Sequence, residues 1–195
     1  MAAVNRMAED GLQGARRTVT GRRAAQRIDE YDDLYRRNQA RILRLCTILL
    51  RNPSEAEDVT QEVFLILYRE QQRGERRVGW APWLTRVAVN ACHRRRRSRW
   101  WDALRAQPTL DAAELATDTP TPELQAIGSE QRRAIRKVFA SLSARQQEVF
   151  LLRHVEGYST DDVAEMLGVR TGSVKQHLFR ATHAFQRALQ STGAP

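Results

Sequence analysis

Residues Trp80 to Arg99 read WAPWLTRVAVNACHRRRRSR. Pro82 falls where a first helical turn tolerates it, because its missing N–H would have no intrahelical partner there, so a helix is expected to begin around Ala81. Leu84, Val87, Ala88 and Ala91 recur at three- and four-residue spacing and make one apolar stripe. Trp80, Trp83, Arg86, Asn90 and Arg94 to Arg97 then fall largely on other faces. That side offers flat rings, next an amide, and last guanidinium groups. Rings stack on unpaired bases at about 1–3 kcal/mol each, Asn can hydrogen-bond a base edge, and Arg neutralises phosphate. The order suits a junction between duplex and single strand. Two core tryptophans beside a solvated arginine run would give the same spacing, so the choice rests on the rest of the chain.

With 195 residues the chain can form one ordinary domain or two small ones. Its formal net charge is +9, and almost all of its basic residues are arginine, which favours planar, bidentate contact with phosphates and base edges. The charge points to a polyanion as partner. No stretch approaches the roughly 18 apolar residues of a spanning helix and no signal-peptide core opens the sequence. No membrane partner is therefore expected, and a cytoplasmic location is. Cys46 and Cys92 stand far apart in sequence, outside any CxxC or His–Cys cluster, and read as small apolar helix residues. Neither a metal nor another cofactor is expected.

Residues 1–27, rich in Ala, Arg and Gly, read as a mobile basic tail, with Met7 an alternative start. Leu34, Ile42, Leu45, Ile48 and Leu49 predict an amphipathic helix over 28–50. Asn52-Pro53-Ser54 interrupts it, and Ser54 with Glu57 has the form of a capping box opening a second helix. In that helix Val59, Val63, Ile66 and Leu67 make the inner side, while Glu55, Asp58, Gln61 and Glu62 face outward. An acidic patch repels phosphate, so on a basic chain it fits a protein partner.

The stretch AEDVTQEVFLILYR at 56–69 resembles region 2.2 of bacterial sigma factors, and WLTRVAVN at 83–90 resembles the WLxxIAxN pattern of regions 2.3 and 2.4 in the extracytoplasmic function group. The resemblance implies that Asp58, Gln61, Glu62 and Phe64 dock on the β′ clamp helices of core RNA polymerase. It implies further that the helix at 80–99 and the loop before it, QRGERRVG at 72–79, open the minus-10 promoter element. Arg76, Arg77, Trp80, Trp83, Arg86, Asn90 and Arg94 are the residues expected on that DNA. Two positions depart from the family pattern: His93 stands where an Asp is usual, which would add charge near DNA, and Asn38 where an aromatic is common.

From 102 to 130 the composition changes. Arg105 is the one basic residue against Asp102, Asp111, Glu114, Asp118, Glu123 and Glu130, and Pro108, Pro120 and Pro122 prevent long helices. This reads as a linker whose two dozen or so central residues reach roughly 80 Å at about 3.3 Å each. Its acidity either keeps it off DNA or, as the resemblance implies, lets it occupy the RNA channel of the polymerase.

The remainder, 131–190, carries a second signal. Short helices are expected at Arg132–Ala140 and Ala144–His154, with Ser143 a cap for the latter and Gly157 its end. Ser159 or Thr160 caps Asp161–Leu167, Gly168 turns, and Thr171–Gln190 forms the last helix on Val174, Leu178, Ala181, Phe185 and Leu189. The spacing is that of a helix-turn-helix. Arg170, Thr171, Ser173, Lys175, Gln176, His177 and Arg180 occupy its outer face, the earlier ones near base edges and the later ones near phosphate. Residues 142–181 are similar to sigma region 4, which reads the minus-35 element; Arg170 stands where Ser or Thr often caps, and Thr171 is the expected substitute.

The reading is thus an all-α chain of two small helical domains: a tail (1–27), sigma region 2 (28–101), an acidic linker (102–130), sigma region 4 (131–190) and a short tail (191–195). It recruits polymerase to promoter DNA, and members of the group are often held by an anti-sigma factor. A LuxR-like regulator, which binds DNA without polymerase, shares the VKxH pattern at Val174 to His177 but lacks an acidic docking helix. A metal-dependent nuclease or recombinase would recruit Glu55, Asp58 and Glu62, but no His partner or phosphate loop accompanies them.

Overall fold

The computed structural model describes residues 28–74, 79–105 and 129–191. The basic tail, Arg76 and Arg77 of the loop, most of the acidic linker and the last four residues lie outside them. The described residues form helices joined by short turns, with no strand among them. Helix α1 covers 28–50, α2 Pro53–Gln72 and α3 Trp80–Arg105; these make an N-terminal bundle. Helices α4 (Ser129–Ser141), α5 (Ala144–Phe150), α6 (Thr160–Leu167) and α7 (Thr171–Ser191) make a C-terminal unit, and a π-helical turn, Leu151–Val155, continues α5.

In the bundle, Ile42, Leu45, Cys46 and Leu49 of α1 meet Val59, Val63, Phe64 and Leu67 of α2 and Leu84, Ala88, Val89 and Cys92 of α3 in one buried core. Arg51, with φ of 57°, takes the left-handed conformation and donates its N–H to the Thr47 carbonyl at 2.9 Å, which stops α1. Asn52, not Ser54, caps α2: its side-chain oxygen accepts from the Glu55 N–H at 3.1 Å while Pro53 fills the first helical position. Asn is as good a cap as Ser, and Pro has no N–H to leave orphaned, so the cap moves upstream. Arg94–Glu62 and Arg99–Glu55 pairs, at 3.5 and 2.9 Å, show α2 and α3 running antiparallel.

The two cysteines, read as unrelated in sequence, are neighbours across the α1–α3 seam. Hydrogen bonding between the two thiols, together with burial, pushes the Cys92 thiol up from its ordinary range. Helix α3 also continues past the expected linker start at 102 to Arg105, and its last turns carry an exposed edge-to-face pair, Trp100 and Trp101, 4.8 Å apart.

Two reciprocal capping boxes organise the C-terminal unit. Ser143 and Gln146 exchange bonds at the start of α5, and Ser159 and Asp162 do so at the start of α6. Gly168, at φ of 63°, supplies the left-handed turn between α6 and α7. Val149, Leu152, Val163, Val174 and Ala181 form the core beneath them, and Phe150 stacks on Phe185 at 4.6 Å. Buried Gln147 donates to the carbonyls of Phe139 and Leu142, satisfying the end of α4.

Candidate nucleic-acid and polymerase interfaces

These helices present three surfaces. On α2, Asp58, Gln61 and Glu62 are exposed along one side. Phe64 is not part of that face: it is 2% exposed, and its ring meets Tyr35 edge-on at 4.7 Å. Its spacing from Val63 and Leu67 puts it on the apolar side of α2. The large apolar residue that does stand beside Asp58, Gln61 and Glu62 is Leu65, 56% exposed. The signal was in the sequence, since positions 58, 61, 62 and 65 share one helical face.

On α3, Trp80 and Trp83 meet edge-to-face at 5.4 Å and are half-buried, each leaning on the core while keeping part of its ring outside. The structure thus joins the two sequence readings. Arg86 is exposed and Asn90 half-buried. The arginine run is not one basic face. Arg94 pairs with Glu62, Arg99 with Glu55, and Arg96 turns inward, where burial lowers its pKa; Arg97 stays exposed. The stripe of Leu84, Ala88 and Ala91 is buried as expected, with Val87 half-buried. Thr85, Val89 and Cys92 are buried too, which one amphipathic stripe does not account for.

Val89 and Cys92 belong to the bundle core, whereas Thr85 meets the C-terminal unit. Arg41 of α1 donates to Glu156 at 2.5 Å, to the Thr85 hydroxyl at 2.8 Å and to the Ala81 carbonyl at 3.2 Å. Asn38, the departure from the family pattern, accepts from Arg41 at 3.2 Å and donates to the Leu34 carbonyl, so it steers the guanidinium. The Thr85 and Tyr158 hydroxyls lie 3.1 Å apart. His93, expected beside DNA, instead meets Glu148 at 2.9 Å, and Arg145 holds the other oxygen of that carboxylate at 2.8 Å. A carboxylate 1% exposed needs such partners.

Arg170, just before α7, and Lys175, Gln176 and Arg180 on it are exposed, with Thr171, Ser173 and His177 half-buried. Thr171 does not cap: its hydroxyl donates to Asp161 at 3.0 Å, and the Arg170 carbonyl accepts from Ser173 and Val174 at the head of the helix. His177 lies below its ordinary pKa through burial and the nearby Arg145 and Arg180 charges, which leaves a neutral ring rather than a phosphate-binding cation. Phe179, absent from the sequence-based set, is 64% exposed one turn beyond Lys175 and Gln176 on the same face. An exposed ring there can meet a thymine methyl.

Residues 34–102 match the family described as Sigma-70 region 2, and 132–182 match Sigma-70, region 4. The ECF RNA polymerase sigma factor SigM of Mycobacterium tuberculosis is 30% identical over 82% of this chain and 76% of its own length. The RNA polymerase sigma factor CarQ of Myxococcus xanthus is 29% identical over 83% of this chain and 90% of its own. Among solved structures, RpoE of Bartonella quintana, in complex with the anti-sigma factor NepR, superposes with a TM-score of 0.68 at 21% identity, over 83% of this chain and 97% of that one. CnrH in complex with the cytosolic domain of CnrY gives 0.58 at 18% identity, over 88% and 97%. Helical bundle, helix-turn-helix and exposed faces together define a transcription initiation factor. The chain belongs to the sigma-70 family, in its extracytoplasmic function group. It binds core RNA polymerase and directs promoter-specific initiation, opening the minus-10 element through region 2 and reading the minus-35 element through region 4.

Proposed function

We propose that the labour is divided among three faces. The α2 face of Asp58, Gln61, Glu62 and Leu65 grips the clamp helices of the core enzyme; Trp80, Trp83, Arg86 and Asn90 of α3, with Arg76 and Arg77 of the preceding loop, capture the opened strand. Arg170, Ser173, Lys175, Gln176 and Arg180 of α7 read the upstream element. On this reading region 2 spans 28–101, a tether 102–130 and region 4 131–190. The chain itself makes and breaks no bonds, since recruitment and strand capture are binding events and the polymerase supplies the chemistry.

The observation that supports this most is the sorting of charge within one bundle. Carboxylates line the outside of α2, while rings and an amide line α3, and a surface meant for DNA alone would not carry the first. Such work belongs in the cytoplasm, and among the described residues no helix is long and apolar enough to cross a membrane. An anti-sigma factor is a further partner suggested by the solved relative captured with NepR. Run-off transcription from a genomic library, using purified core enzyme with and without the protein, tests the whole reading. Discrete new transcripts are expected; tight binding to duplex sites without core enzyme would instead favour the LuxR-like alternative.

A further inference from the structure

Cys46 and Cys92 are the two thiols of the chain, both are free, and neither serves polymerase binding or strand capture. They are 0% and 1% exposed in the bundle core and are hydrogen-bonded to each other across the α1–α3 seam. Ala88, one turn before Cys92 on the same face of α3, is also fully buried, and so short a side chain lets α1 come close. A disulfide between them asks the sulfurs to close from hydrogen-bonding contact to about 2.05 Å.

The surroundings treat the two sulfurs differently. Hydrogen bonding with Cys92 holds the Cys46 thiol below its ordinary range against its burial, and the Thr60 hydroxyl adds to the effect. Cys92 is raised by the same bonding first, then by burial and the nearby Cys46 and Glu148 charges, so it keeps its proton. Arg96, one turn on from Cys92, is half-buried, and its Nη1 is enclosed with no hydrogen-bond partner. An enclosed guanidinium beside two thiols is an electropositive setting in which a thiolate can form.

We infer that Cys46 and Cys92 form an oxidation site whose co-reactant is hydrogen peroxide, Cys46 attacking and Cys92 resolving. The Cys46 sulfur attacks one peroxide oxygen, the O–O bond breaks, and the departing hydroxide leaves as water with the proton given up by Cys46, which becomes a sulfenic acid. The Cys92 sulfur then attacks the Cys46 sulfur. The S–S bond forms, the S–O bond breaks, and hydroxide leaves as water with the Cys92 proton. Two thiols are thereby oxidised to one disulfide while one peroxide is reduced to two waters. Both sulfurs are enclosed, so the oxidant reaches them through local openings of the bundle. In a reducing compartment such bridges are transient and sense oxidants. The chain thus carries a peroxide-responsive bond of its own, which staples α1 to the helix bearing Trp83 and Asn90.

The test uses the full chain, reduced, freed of reductant and treated with millimolar hydrogen peroxide, then read by peptide mapping, non-reducing gels and thermal unfolding. The expected product is monomeric, yields one linked peptide pair holding Cys46 and Cys92, and melts roughly 5–15 °C higher, all reversed by dithiothreitol. Cys92→Ala accumulates a dimedone-reactive sulfenic acid at Cys46, whereas Cys46→Ala is labelled at Cys92 about tenfold more slowly. No linked peptide, or a link only between two copies, overturns the site. Equal labelling of the two variants overturns the division of roles. The linked peptide is read in the unaltered chain, so it decides the site even where a variant fails to fold.

Discussion

Glu62 of α2 and Arg94 of α3 face each other at 3.5 Å, so the side proposed for polymerase and the side proposed for DNA meet along one seam. Both side chains are well exposed, which makes the pair worth little to stability. Asp58, one turn earlier, faces outward with no ion-pair partner among the described residues. Asp58→Ala is therefore expected to weaken core-enzyme binding several-fold, more at low salt than at high. Arg94→Ala should not weaken it, because it frees Glu62. Titration of labelled protein with core enzyme at two salt concentrations decides both.

Phe64 and Leu65 are adjacent and opposite in effect. Phe64→Ala empties a packed site between α1 and α2 and should cost about 3–5 kcal/mol, read by thermal or denaturant unfolding. Leu65→Ala removes a side chain that already stands in water, so stability should stay within about 0.5 kcal/mol while retention of core enzyme in a pull-down falls.

Trp83→Ala and Asn90→Ala should leave core binding unchanged and lower open-complex formation. For Trp83, loss of one base stack is worth about 1–3 kcal/mol, which corresponds to an effect of about five- to 150-fold. Permanganate reactivity of unpaired thymines across the minus-10 element measures it.

On α7 the expected effects differ in kind. Gln176→Ala should change preference at one upstream base pair by about 1–3 kcal/mol, and Lys175→Ala should weaken all sequences alike and reduce the salt slope by about one. Phe179→Ala should discriminate against sites with thymine under that turn. Holoenzyme binding to a randomised upstream element, sequenced at two salt concentrations, separates the three.

Much of the fold was legible in spacing alone. The runs Val59–Val63–Leu67 and Val174–Leu178–Ala181 mark the inner sides of α2 and α7, and Ser143, Ser159 and Gly168 mark helix ends, because caps and stripes are local physics. The features that could not be read depend on contacts distant in the chain. Thr85 looks half-polar until Tyr158 and Arg41 are placed on it, and Val89 and Cys92 look incidental until the bundle core closes over them. His93 looks like a DNA contact until Glu148 is placed beside it. Cys46 and Cys92 seem unrelated because nothing local says that α1 and α3 cross there. Arg94 and Arg99 read as free charge because their partners, Glu62 and Glu55, sit on the preceding helix.

The π-helical turn at Leu151–Val155 reaches further than its five residues suggest. Its wider hydrogen bonding, Glu156 N–H to the Leu151 carbonyl at 3.0 Å, accommodates one residue more than an α-turn would, and each added residue rotates the downstream chain by about 100°. Glu156 and Tyr158 come next, and these are the two that grasp Arg41 and Thr85. Loss of a single codon here would leave the upstream reader whole yet misaim its grip on its sibling, so inheritance can loosen or tighten the hold between the halves without touching either vocabulary of bases.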